Sequence, residues 1–314
     1  MKPSLVVVGS TNTDMVIKAD HLPAPGETIL GGNFFMNPGG KGANQAVAAR
    51  RMGADVIFIT KTGNDIFGRQ SIQLFEEEGI GIDHIISDPV NPSGVALIAV
   101  DKSGENCIVV ASGANANLVP ADLKNATEVI SGASTILMQL EIPVKTVEFV
   151  ASIAKANGIK VILNPAPVCE LPPSVLQSVS IITPNRKEAE MLSGISINDQ
   201  ASFNEAAHRI KEKGVETVII TLGAEGAFIF SNDLVTMVPA PQVVAVDTTA
   251  AGDVFNGALA VALSEEMPII DAVSLACHAA ALSVTRLGAQ SSAPHRPEVE
   301  AFLQRQLAEK KSSV

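Results

Sequence analysis

Short apolar runs recur along the chain and alternate with longer stretches whose apolar residues return every three to four positions. The short runs, at 5–8, 56–60, 135–139, 160–163, 180–183 and 217–221, are rich in Val and Ile and mostly lack polar alternation. That pattern predicts strands covered on both faces, as in a parallel sheet. The longer stretches predict helices over 43–52, 67–78, 144–157, 186–193, 202–213, 252–263, 269–286 and 297–309. Regular alternation of the two predicts an α/β fold with an open, mostly parallel sheet and helices on both faces. In such sheets ligands bind at the carboxyl ends of the strands.

Two segments, at about 15–38 and 93–111, break this rhythm and read as extended hairpin material inserted into the core. In the second, 94–100 and 106–111 flank the turn Asp101-Lys102-Ser103-Gly104-Glu105. Strands inserted this way predict a small sheet standing away from the main layer, with Phe34, Phe35 and Met36 as apolar candidates for an interface. No repeat or linker divides the chain, so 1–314 reads as a single domain, frayed only from Glu309.

With 46% hydrophobic residues among 314, the chain can bury a substantial core. No apolar run reaches the ~18–20 residues that a membrane span needs. The start Met1-Lys2-Pro3-Ser4-Leu5-Val6-Val7-Val8-Gly9 reads as a first buried strand and not a secretory signal, so the expected location is the cytoplasm. Cys107, Cys169 and Cys277 are odd in number and lack metal-ligand spacing, which suits reduced thiols. The histidines are scattered, so a transition-metal site is not expected. A net charge of −11 argues against nucleic-acid binding. An acidic chain can still hold an anionic nucleotide through backbone dipoles and a divalent cation.

The run Asp247-Thr248-Thr249-Ala250-Ala251-Gly252-Asp253 carries the most chemistry. Small residues open a helix there, leaving backbone N–H groups of Ala250, Ala251 and Gly252 free to meet an anion. Asp253 beside such an anion hole makes sense as a general base acting on an alcohol about to attack that anion. This is what phosphoryl transfer requires. A second run, Asn37-Pro38-Gly39-Gly40-Lys41-Gly42-Ala43-Asn44-Gln45-Ala46, also leads into a small-residue helix. It is not a P-loop, because Gly42 follows Lys41 and Phe35 stands where the first Gly would be. Nor is it a dinucleotide fingerprint, because Gln45 occupies the third Gly position.

Other candidates read two ways. Asn12 and Asp14 follow the first strand and could grip sugar hydroxyls or form a polar turn. Glu141, just past a strand end, could join them or belong to the start of the next helix. Asn185 and Glu188 share the first turn of a helix and, taken alone, read as its Asn cap and acidic first turn. The stretch Thr221-Leu222-Gly223-Ala224-Glu225-Gly226 joins two strand-like runs and, taken alone, reads as a plain glycine hairpin.

Together the two glycine- and alanine-rich runs resemble the paired signatures of the PfkB family of carbohydrate kinases. With Gly9-Ser10-Thr11-Asn12-Thr13-Asp14 they are most similar to its ribose-phosphorylating members, over about residues 4–305. The resemblance implies the ribokinase-like fold: a Rossmann-like α/β core plus a small β-sheet lid that closes over the sugar and pairs with its copy in a homodimer. It implies ATP-dependent phosphorylation of D-ribose at O5, with Asp253 as base. Ribose would meet Asn12, Asp14, Gly40, Lys41, Gly42, Ala43, Asn44, Glu141 and Asp253. The nucleotide would meet Asn185, Thr221, Leu222, Gly223, Ala224, Glu225, Gly226, Gly252 and Cys277. Mg²⁺ is implied at Asn185 and Glu188 through waters. K⁺ is implied at Asp247, Thr249, Ser283, Arg286, Gly288 and Ser292, although Gly288 also reads as an ordinary helix C-terminal turn. The rival readings are a fructokinase or deoxyribokinase of the same family, or a catalytically silent sugar-binding regulator.

Overall fold

The structure, a computed structural model, describes residues 4–312. Its strands are β1 (Ser4–Val8), β2 (Asn12–Lys18), β3 (Asn33–Gly39), β4 (Asp55–Gly63), β5 (Ile85–Asp88), β6 (Gly94–Val100), β7 (Asn106–Ala111), β8 (Thr135–Met138), β9 (Lys160–Leu163), β10 (Ile181–Ile182), β11 (Thr217–Thr221), β12 (Ala227–Phe230) and β13 (Val235–Val238). Its helices are α1 (Lys41–Arg51), α2 (Ile66–Glu77), α3 (Thr127–Ser131), α4 (Val144–Ala156), α5 (Pro173–Leu176), α6 (Arg186–Ser193), α7 (Gln200–Lys211), α8 (Ala251–Ser264), α9 (Ile269–Ser283) and α10 (Arg296–Ser312).

Nine strands form one sheet in the order β13-β12-β11-β10-β9-β8-β1-β4-β5. It is parallel from β5 to β11. At one edge β12 runs against the other strands, pairing antiparallel with β11 and with β13. All six expected core strands are present. The side chains of β1 alternate between two apolar layers. Leu5 and Val7 pack with α1, α8 and α9, whereas Val6 and Val8 pack with the α4 and α7 side. Burial on both faces explains why these strands read as continuous apolar runs. Strand β1 has β4 on one side and β8 on the other, so the chain order reverses beside it and opens a crevice at the carboxyl ends.

The interrupted segments form a separate four-stranded sheet, β3-β2-β6-β7, as expected. Its register sorts the side chains. Met15 pairs with Met36 and Leu97, and Ile17 with Phe34. Phe34, Met36, Ile17, Leu97 and Val109 therefore share one exposed face. Asn12, Asp14 and Val16 share the other, and Phe35 pairs with Val16. Strand alternation thus removes Phe35 from the apolar face on which it was grouped with Phe34 and Met36.

Several elements differ from the sequence reading, most helix bounds by only one or two residues. Helix α9 ends at Ser283 and not Arg286, because the N–H groups of Thr285 and Arg286 turn back to Leu282 and Ser283 in tighter bonds. Helix α10 continues to Ser312, past the expected fraying at Glu309, while residues 313–314 lie outside the described part. Strands β5 and β13 are additional; at four residues each they are too short to display a periodicity. Among the described residues no helix is long and apolar enough to cross a membrane.

Candidate active site

The loop from β1 to β2 and the start of α1 meet at a close backbone crossing. A Cβ at Gly42 would lie 2.5 Å from the Ser10 nitrogen, and one at Gly40 would lie 2.7 Å from the Asn12 nitrogen. Gly40 also has a left-handed φ of 89°. These glycines let α1 begin directly against the carboxyl end of β1. Glu141, beyond β8, ties the crossing together. Its Oε2 accepts from the Ser10 hydroxyl and, at 3.0 Å, from the Lys41 N–H. Helix α4 has Pro143 as its N-cap, so Glu141 does not cap it.

Asn12 and Asp14 lie on β2, in the small sheet, which removes the polar-turn reading. Asn12 Oδ1 accepts from Asn115 Nδ2 at 2.8 Å. Asn115 also grips both the N–H and the carbonyl of Thr11. This fixes the Asn12 amide with its Nδ2 left to donate. Asp14 is pushed up to about 6, first by burial, then by the nearby carboxylates Glu141 and Asp253. Those carboxylates therefore converge on one small volume.

Asp253 lies in the first turn of α8 and is 5% exposed. Asn44 Nδ2 donates to its Oδ2 and Gln45 Nε2 to its Oδ1, both at 2.9 Å. Helix α8 comes close enough for this because Gly257 faces α1. A Cβ there would be 2.7 Å from that of Ala48. Lys41 faces the same cluster. The Asp253 carboxylate holds its ammonium above the ordinary value, opposed by burial and reinforced by Glu141 and Glu188.

The N-cap of α8, Ala250, has a left-handed φ of 59°, unusual for a residue with a Cβ. The N–H of Ala251 turns to Thr248 O. Those of Ala250, Gly252 and Asp253 have no acceptor among the described residues, so the expected anion hole lacks Ala251 but keeps the others. A Cβ at Gly252 would meet nothing within 4 Å. Packing does not demand this glycine; the space is left for something outside the chain.

Facing this turn, Asn185 and Glu188 form a reciprocal capping box at the start of α6. The capping reading is therefore realised, and Glu188 spends only Oε2 on it. Burial raises the Glu188 carboxyl, the Asn185 N–H and Lys41 oppose that shift, and Asp253 adds to it. A cavity of about 210 Å³ joins Lys41, Asn185, Glu188, Ala250, Gly252 and Asp253. The uncommitted Glu188 Oε1 and the second lone pair of Asn185 Oδ1 at its wall suit a water-bearing Mg²⁺.

A second, largely apolar cavity of about 250 Å³ continues from it, lined by Thr221, Gly223, Ala224, Gly226, Gly252 and Cys277 among others. Burial pushes the Cys277 thiol up to about 12, so it is a small neutral wall and not a nucleophile. His278 points away, its ring against Phe302. Leu222 is buried in the core, and Glu225 pairs with Arg186 at 2.9 Å, so neither side chain lines this cavity.

Asp247 joins the two halves of the expected cation loop. Its carboxylate accepts from the N–H groups of Thr249 and Gly288, both at 2.9 Å. Partial burial alone would raise its pKa, but these hydrogen bonds hold it low. Gly288 lies beyond the α9 C-cap at Val284, so it is not the ordinary helix-ending glycine. The carbonyls of Thr249, Arg286 and Gly288 accept no hydrogen bond among the described residues. The Ser292 hydroxyl is buried and donates to Ala289 O, keeping its oxygen available. Ser283 O already accepts from Arg286 N and has one further lone pair. An all-oxygen set of this kind fits a hard monovalent cation.

The profile of the pfkB family carbohydrate kinases matches residues 2–296. The chain belongs to that family. It is 46% identical to the ribokinase of Haemophilus influenzae over 304 residues, covering 97% of this chain and 99% of the relative. It is 36% identical to the deoxyribokinase of Salmonella typhimurium, covering 95% and 98% respectively. The Arabidopsis thaliana ribokinase complexed with ribose and ATP superposes with a TM-score of 0.92 at 32% identity, covering 96% of this chain and 99% of that one.

In this kinase several polar residues around the crevice went unassigned in the sequence reading. Asn115, Asn164, Thr183 and Asn256 are all buried and hydrogen-bonded into the site. Each lies outside the two signature runs, alone in an apolar or turn context, so spacing gives no signal. Gln45 lies inside a signature run, yet nothing in the run says which way its side chain points.

Proposed function

We propose that this pfkB-family kinase transfers the γ-phosphoryl group of ATP to O5 of D-ribose, giving D-ribose 5-phosphate and ADP. The observation that carries the reading is Asp253, held by two amides between the sugar-side carboxylates and the open N–H groups of α8. The sugar would lie against Asn12, Asp14, Gly40–Asn44 and Glu141, gripped by the Asn12 amide and the Asp14 carboxylate. Asp253 takes the proton of the 5-hydroxyl. The oxygen then attacks the γ-phosphorus in line, the new P–O bond forms, and the bond to the β-phosphate oxygen breaks. Charge on the moving group meets the Gly252 and Asp253 N–H groups and the Lys41 ammonium. The nucleotide base occupies the apolar cavity beside Cys277, and Thr221 and Gly223 stand near the phosphates.

Asn185 and Glu188 would hold Mg²⁺ through water, and the ion would neutralise phosphate charge. Asp247, the carbonyls of Thr249, Ser283, Arg286 and Gly288, and Ser292 would hold K⁺, which would stiffen the turn leading to Ala250. The small sheet acts as a lid on the sugar. Its exposed face, with Phe34 and Met36 60% and 49% exposed, pairs with its copy in a homodimer. The substrate ATP and the unpaired thiols suit the cytoplasm.

An ADP-release assay across pentoses, hexoses and nucleosides tests the assignment. D-Ribose is expected to exceed 2-deoxyribose and fructose in kcat/KM by about tenfold or more. A preference for 2-deoxyribose would move the chain to the deoxyribokinase reading, which the Salmonella relative motivates. Sugar binding without ADP release would mean a regulator.

Exchanging Na⁺ for K⁺ at constant ionic strength is expected to raise turnover, and Asp247→Ala to remove that response. The ion lies beside the anion hole and not on substrate, so kcat should move more than the ribose KM. The effect should be a fraction of the ~10²–10³ that one transition-state donor contributes. Mg²⁺ dependence should persist in Asp247→Ala. A wild type indifferent to K⁺ would remove the cation site.

A further inference from the structure

We infer that Gln45 is a positioning residue that aims the Asp253 carboxylate, and that Gln139 fixes Gln45 in the orientation this needs. The inference rests on the reading of Asp253 as base. Gln45 is fully buried, and all its amide capacity on the described side is spoken for. Nε2 donates to Asp253 Oδ1 at 2.9 Å and to Asn164 Oδ1 at 3.1 Å. Oε1 accepts from Gln139 Nε2 at 2.6 Å. Gln139 is also fully buried. An amide can be turned over with no change of shape, and only its partners decide which end faces where. The two acceptors ahead, Asp253 Oδ1 and Asn164 Oδ1, admit one orientation, and Gln139 Nε2 matches it from behind, its own Oε1 having no hydrogen-bond partner among the described residues. Turned over, Gln45 would set its oxygen against the Asp253 carboxylate and its nitrogen against the Gln139 nitrogen.

Asn44 does not share this constraint. It donates to Asp253 Oδ2, but its own Oδ1 has no hydrogen-bond partner among the described residues. Asn44 can serve the sugar as well as the base, whereas Gln45 has no open atom to offer a ligand. Gln45 therefore acts through Asp253 alone. It pins one oxygen so that the remaining lone pair of the carboxylate faces the crevice. Asn164 extends the support, since its Nδ2 donates to Thr183 O at 3.3 Å, just ahead of the Asn185–Glu188 box.

The test compares Gln45→Met, Asp253→Asn and the double variant, with ribose binding followed by calorimetry. Gln45→Met keeps the length of the side chain and removes its donor. Its kcat is expected to fall by about tenfold or more, the loss typical of a misaimed catalytic group, while the ribose Kd stays within about threefold. In the Asp253→Asn background the same substitution should change the residual rate by less than about twofold, because groups that act as a unit are not additive. Gln139→Met should show the same pattern with a smaller kcat loss, and it carries the test if Gln45→Met does not fold. A wild-type kcat in Gln45→Met, or an equal loss in both backgrounds, would overturn the positioning role. Full activity in Asp253→Asn would instead overturn the base on which it rests.

Discussion

Asp253→Asn is expected to lower turnover by about 10²–10⁴-fold, the usual contribution of a positioned general base, while ribose binding falls far less. The geometry gives reasons for both halves. The carboxylate is 5% exposed and each oxygen accepts an amide hydrogen, so its remaining basicity is directed at whatever enters the crevice. The substitution preserves shape but replaces one acceptor by a donor. Gln45 cannot readily turn over to meet it, because its Nε2 also donates to Asn164 Oδ1 and Asn164 is itself set by donating to Thr183 O. Asn44 can, because its Oδ1 has no partner among the described residues. The new amide nitrogen is therefore expected to settle toward Asn44, and the fold should survive. Initial rates at saturating ribose and ATP, with calorimetric ribose binding, check the outcome. Near-normal turnover in the folded variant would sink the role of Asp253 and leave the anion hole without its partner.

The sequence was most legible where a physical constraint repeats. Six buried parallel strands carry the same two-sided apolar signature, and each was found. The two hairpin segments were visible because they interrupt that signature. The glycines were legible only as bare backbone for a ligand, whereas Gly40, Gly42 and Gly257 occur where a Cβ would collide with backbone or with the facing helix. What stayed hidden depends on orientation across long sequence distances. Asn115 reaches back over 104 residues to hold Thr11. Gln45 meets an aspartate 208 residues away. A local pattern carries no trace of such pairs. Strand register was hidden for the same reason, which is how Phe35 was grouped with Phe34 and Met36 although alternation sends it to the face of Asp14. At Asn185 and Glu188 the two readings of the sequence proved compatible: one Glu188 oxygen closes the capping box, and the other is left for the cavity.

The second large effect is expected at Asp14. Asp14→Ala should raise the ribose Kd by about 5–150-fold, equivalent to ~1–3 kcal/mol for a sugar hydroxyl that loses its buried acceptor. ATP affinity should stay within about threefold, because Asp14 lies on the small sheet and the nucleotide cavity is lined from α8, α9 and β11. The environment of Asp14 adds a pH signature. Burial, then Glu141 and Asp253, push its carboxyl up to about 6. Below that pH the free enzyme carries a protonated Asp14, which presents a donor where the sugar requires acceptors. The ribose kcat/KM should therefore be flat above about pH 6 and fall about tenfold per unit below it, while kcat at saturating ribose is less affected. Glu188 is also raised by burial, but it lines the cavity proposed for the phosphates and should act through ATP and Mg²⁺. Asp14→Asn separates the two, since it should bind ribose weakly at every pH and lose the break near 6. Calorimetry near pH 6, in buffers of differing ionisation enthalpy, should also report a proton released as ribose binds. If Asp14→Asn keeps the same break, or if ribose binding releases no proton there, then Asp14 is not the acceptor that reads the sugar.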